Sequence, residues 1–166
     1  NAGTGVWTVT GSVSDVNAAL AAVAFTPSED WDQDVTITTR IRDASDTGPA
    51  DGTITLDATA VNDAPEATNL TQTIPFTEDG GSIALGDIVI TDVDSGETIT
   101  ATLTLGNVAA GTLTTGTFGS ATSTYNAGTG VWTVTGSVSD VNAALAAVAF
   151  TPSANWDQDV TITTRI

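Results

Sequence analysis

Apolar and polar residues alternate along several stretches with the period of two that marks a half-buried strand. Val35, Ile37, Thr39 and Ile41 alternate with Thr36, Thr38, Arg40 and Arg42. Ile54, Leu56, Ala58 and Ala60 alternate with Thr53, Thr55, Asp57 and Thr59, and Ile99, Ala101, Leu103 and Leu105 with Thr98, Thr100, Thr102 and Thr104. Each pattern gives one core face and one threonine face in water, as antiparallel sheets allow. Val6–Thr10 and Val131–Thr135 read the same way, with Trp7 and Trp132 as core or edge aromatics. Turn signals separate the strands at Asp51-Gly52, Asp79-Gly80-Gly81 and Ser95-Gly96.

One segment departs from that period. In Ser139–Val148 a capping serine precedes apolar residues at Val141, Leu145 and Val148, which predicts a short amphipathic helix. The same sequence at Ser14–Val23 predicts a second one. The expected fold class is therefore all-β: an antiparallel Greek-key β-sandwich with one short helix per module, crossing one end.

Residues 1–41 recur at 126–166, an offset of 125, and only two positions differ: Glu29 and Asp30 become Ala154 and Asn155. Near-identity of this length points to recent duplication in a repeat array. A period of 125 is too long for a solenoid and suits a whole sandwich domain. The chain then runs out of register with its modules and is expected to be cut from something longer. Residues 1–61 read as the C-terminal half of one repeat, 62–66 as a linker, and 67–166 as most of the next, its last strands missing.

Charge narrows the function. Twenty Asp and Glu face three Arg and no Lys, a net charge of −17 in 166 residues. Such a surface repels nucleic-acid phosphates and attracts hard divalent cations. Cys, His and Met are absent, which removes disulfides, zinc fingers, thiolate nucleophiles and imidazole bases. No apolar run approaches the roughly 20 residues of a membrane span, so neither nucleic acid nor membrane insertion is expected.

The junction Val61-Asn62-Asp63-Ala64-Pro65 resembles the linker between cadherin-like repeats of giant, RTX-type bacterial surface adhesins. Thr91-Asp92-Val93-Asp94-Ser95-Gly96-Glu97 resembles their Asp-x-Asp loop, and the helix followed by Phe150-Thr151-Pro152 is also similar to that group. The resemblance implies calcium between successive domains, held by Asn62 and Asp63 with Asp92 and Asp94; Glu97, at the end of the loop, is either a further ligand or a solvated turn residue. It implies that Glu78 serves the junction at its domain's far end and that Asp43 closes a site at its own domain's near end. Both would belong to junctions outside this chain. Cadherin linkers carry more acidic and amide groups where this chain has Ala60 and Ala64, so one or two ions are expected, not three.

The chemistry agrees with that expectation. Calcium takes six to eight oxygens in a tolerant geometry, and gathering Asp63, Asp92 and Asp94 without a cation sets like charges side by side. Asp92 and Asp94 can face one ion only if the backbone turns, which Ser95-Gly96 permits. Solvated turn residues are the alternative. Glu29–Asp34 is also acidic, but its copy has lost two carboxylates, which suits a surface loop. Trp31 and Trp156 suit plugs at a sandwich end better than sugar platforms. Asn69-Leu70-Thr71 is a chance glycosylation tripeptide, and the threonine ranks are too short for ice binding.

The leading expectation is thus a structural repeat, secreted or on the cell surface, whose partners are neighbouring repeats. The alternative is a filament subunit assembled head-to-tail by strand complementation between copies. A single tip domain binding sugar or protein would not be repeated, and no pair of carboxylates sits in a context suited to catalysis, so no enzyme is expected.

Overall fold

The computed structural model describes residues 5–94 and 96–166. The first four residues of the repeat and the serine of the Ser95-Gly96 turn lie outside the described residues. The chain divides into two units, Asn1–Ala60 and Val61–Ile166. Strands in several antiparallel sheets predominate, with two short helices.

In the first unit, helix α1 (Val13–Ala22) is followed by an antiparallel pair, β1 (Val35–Thr39) and β2 (Gly52–Leu56). The register runs from Val35 opposite Leu56 to Thr39 opposite Gly52. The connection between them is tied by its own polar groups. Arg42 pairs with Asp51 at 2.8 Å and donates to the Pro49 carbonyl, while the Asp43 carboxylate accepts the Ser45 and Thr47 amides, both at 2.9 Å. None of residues 5–60 is buried.

The second unit contains β3 (Glu66–Ala67), β4 (Ile83–Ala84), β5 (Ile90–Thr91), β6 (Ile99–Leu105), β7 (Gly111–Leu113), β8 (Thr117–Phe118) and β9 (Ala121–Thr122). Then come β10 (Thr124–Asn126), β11 (Val131–Gly136), helix α2 (Val138–Ala147), β12 (Ala149–Pro152) and β13 (Ile162–Arg165). One sheet has the order β10-β11-β6-β13, another β4-β12-β7, and β3-β5 and β8-β9 form small ribbons. Their buried residues form one apolar cluster with those of α2. β6 buries Ile99, Ala101, Leu103 and Leu105, the four positions its alternation assigns to the core. Trp132 and Val134 of β11 meet Val141, Ala144 and Leu145 of α2 in that core. Trp132 is wholly buried, and its indole N–H donates to the Thr114 carbonyl at 2.9 Å, so its polar end is satisfied.

Several expectations need correcting. Val6–Thr10 is not a strand, although the same residues at Val131–Thr135 lie within β11. A strand exists through its ladder, and β11 is held between β10 and β6. Trp7 is accordingly half exposed. The Thr53–Ala60 pattern forms a strand only to Leu56, where β1 ends as a partner. The helix caps are Ser12 and Ser137, not Ser14 and Ser139; their hydroxyls accept the amides of Asp15 and Asp140. Trp156 packs against the core edge, whereas its copy Trp31 is half exposed. Both indoles donate to a carbonyl two residues on, Gln33 or Gln158. Asp30 and Asn155 both have left-handed backbone, a conformation Asp and Asn tolerate, so this substitution keeps the turn while removing the charge.

Candidate metal centre

Three strands converge on the acidic loop. β3 begins the second unit at Glu66 and pairs with β5, Glu66 opposite Thr91 and Ala67 opposite Ile90. β5 ends at Thr91, the loop follows from Asp92, and β6 resumes at Ile99. Gly96, with φ +82°, takes a left-handed conformation that only glycine adopts without strain, and it brings Glu97 back towards the aspartates. Asp92, Asp94 and Glu97 each place a carboxylate oxygen within 4.8 Å of the others. All three are partly buried.

Part of their acceptor capacity is already used. The Asp94 amide donates to Asp92 Oδ1 at 3.0 Å, and the Asp63 amide donates to Asp94 Oδ2 at 2.6 Å. Asp92 Oδ2, by contrast, has less than 1 Å² exposed and no hydrogen-bond partner among the described residues. Burying a carboxylate oxygen unpartnered costs about 1–3 kcal/mol or more, so this atom calls for a ligand.

The donor set fits a hard cation. It is oxygen only, with no nitrogen or sulfur ligand in the chain, which disfavours zinc and copper and favours calcium or magnesium. Oxygens within 4.8 Å of one another can converge on one ion after small side-chain shifts, calcium taking its ligands at roughly 2.3–2.6 Å. The three residues could therefore hold a metal ion.

The remaining site residues of the sequence reading are placed differently. Asp63 reaches the loop through its amide and is not one of the three clustered carboxylates. Asn62 lies beside it, donating its side-chain amide to the Asp63 carbonyl at 2.7 Å. Glu78 stands exposed in a turn before β4, outside the cluster. Asp43 belongs to the first unit, where its carboxylate caps its own loop.

One positioning residue escaped the sequence reading. Asn142 of α2 accepts the Ile90 amide through Oδ1 at 2.8 Å and donates through Nδ2 to the Ile90 carbonyl at 2.9 Å. Its side chain does for β5 what a neighbouring strand would do, two residues before Asp92. The available signal was a poor helix former within one turn of Val141 and Leu145 on a helix that buries its apolar face.

No family model, curated protein or solved structure matches the chain.

Proposed function

We propose that the chain is a calcium-stiffened structural repeat of a large secreted or surface-anchored bacterial adhesin. In this reading the second unit is a cadherin-like Greek-key sandwich. Its four-stranded and three-stranded sheets are the two layers, and α2 closes one end. The unpartnered, buried Asp92 Oδ2 beside Asp94 and Glu97 is the observation that carries the proposal.

Asp92, Asp94 and Glu97 would supply charged oxygens to the ion. The Asp63 amide, bonded to Asp94, ties the 62–66 segment to the same loop, and Asn62 orders the Asp63 carbonyl. A bound calcium ion supplies the positive charge that offsets the gathered carboxylates. Fixing where the chain enters the second unit turns a flexible junction into a stiff one. Duplication with only two changes in 41 residues suits a spacer whose task is length, not ligand discrimination. The net charge of −17 favours an extended, soluble rod.

Thermal unfolding in millimolar calcium and in chelator tests this reading. Extracellular modules bind calcium at about 10⁻⁴–10⁻³ M. Calcium at about 1 mM is then about 1–10 times the dissociation constant and adds roughly 0.4–1.4 kcal/mol, a rise of roughly 2–8 °C for a unit of this size. Substituting Asp92→Asn with Asp94→Asn is expected to abolish the rise. An unchanged melting temperature in the unsubstituted chain sinks the proposal.

A further inference from the structure

We infer that Asp79 selects which copy of the repeated segment completes the second unit, accepting 126–166 and repelling 1–41 through the two positions at which the copies differ. In the structure 126–166 supplies β11, α2, β12 and β13 to the segment 67–125. The Trp132 indole donates to the Thr114 carbonyl, the Asp140 carboxylate accepts the Ser120 hydroxyl, and the Asn142 amide donates to the Ile90 carbonyl. The other copy holds the same residues 125 positions earlier, as Trp7, Asp15 and Asn17. Every buried residue of 126–166 is likewise unchanged in it. Neither core packing nor these hydrogen bonds can tell the copies apart.

One contact falls on a position that differs. The Asn155 amide donates to Asp79 Oδ1 at 3.1 Å, and Glu78 adjoins Asp79 in the chain. Asn155 and Asp30 share a left-handed backbone, φ 55° and 57°, so either residue presents its amide from the same turn. Their side chains differ in charge. With the first copy in place, Glu29 and Asp30 would bring two carboxylates to Asp79, where the second copy brings a methyl group and a neutral amide. All of these residues are exposed, so solvent and salt screen the repulsion, which amounts to about a 2–5-fold bias in an equilibrium constant. Nearly identical neighbours in an array risk pairing halves of different modules, and a like charge at one turn disfavours the wrong half. The selection needs no bound ion and stands apart from the metal site.

Disulfide trapping tests the selection, because the chain has no cysteine of its own. Thr100 and Thr135 lie opposite each other in β6 and β11, both exposed, with their hydroxyls 2.8 Å apart, and Thr10 is the counterpart of Thr135. Thr100→Cys with Thr135→Cys reports the second copy in place, and Thr100→Cys with Thr10→Cys reports the first. Each chain is unfolded in urea, refolded in chelator at low salt and oxidised, and bridges within and between chains are both counted. The loops are then exchanged by Glu29→Ala with Asp30→Asn and Ala154→Glu with Asn155→Asp. The ratio of the Thr10 bridge to the Thr135 bridge is expected to rise about 4–25-fold, the square of the single bias. Asp79→Asn keeps an oxygen acceptor and removes the charge, and is expected to cancel that rise. A ratio that the exchange leaves unchanged, or no Thr10 bridge with either set of loops, overturns the inference. A rise that persists undiminished in Asp79→Asn overturns the role of Asp79.

Discussion

Removing the Asn142 side chain isolates the contact that anchors the acidic loop. Asn142→Ala deletes two hydrogen bonds, 2.8 Å and 2.9 Å, and leaves the Ile90 amide and carbonyl without those partners. Ile90 is 1% exposed, so water cannot replace them without opening the core. Leaving a buried donor or acceptor unpaired costs about 1–3 kcal/mol each. Alanine's higher helix propensity returns about 0.5 kcal/mol. The expected loss is about 1.5–5.5 kcal/mol. Urea unfolding followed by tryptophan fluorescence measures it, since Trp132 is fully buried while Trp7 and Trp31 are half exposed and change less. The duplication supplies an internal control. Asn17→Ala makes the same change in the same local sequence, where the residue is exposed, and should stay within about 0.5 kcal/mol. A loss below about 0.5 kcal/mol at Asn142, or equal losses at both positions, would refute the view that this amide substitutes for a strand.

Two further outcomes follow from the same asymmetry and from Asp140. Trp132→Ala is expected to cost about 3–5 kcal/mol in the same urea assay, whereas Trp7→Ala should cost less than about 0.5 kcal/mol; similar costs would contradict the burial difference. The Asp140 carboxyl is held below its usual value, 3.8, first by the Ser120 hydroxyl and then by the Ser120 amide, with Ser137 adding to both. A lowered folded-state pKa contributes stability that is present above 3.8 and lost as pH falls through the folded value. Melting curves of the unsubstituted chain and of Asp140→Asn should therefore differ at neutral pH and converge in acid below 3.8. A difference that widens on acidification contradicts that assignment.

Alternation made β6 legible from sequence to the residue, because a strand buried on one face writes its core positions at every second place. It located β1 too, though the face it assigns to the core there is not buried, and it failed at Val6–Thr10. The pattern records which face would be buried, not whether a ladder forms. Identical residues fold as β11 at 131–136, between β10 and β6, and form no strand before α1. The helix caps were misread by two residues because Ser12 and Ser14 offer the same hydroxyl, and only the backbone conformation before the helix distinguishes them. Of the candidate site, the Asp92 and Asp94 pair and Glu97 were legible as a cluster around a turn. Asp63's contribution through its amide was not, since a side-chain motif is silent about backbone donors. Asn142 lies 50 residues beyond Asp92, and its role depends on the packing of α2 against β5.

Calorimetric titration of calcium into the chelator-treated chain tests the central claim most directly. Binding at about 10⁻⁴–10⁻³ M is expected, at one or two ions per chain, with the heat abolished by Asp92→Asn with Asp94→Asn and retained in Glu78→Gln. Absence of calcium-specific heat, or heat that survives the paired aspartate substitutions, would contradict the account.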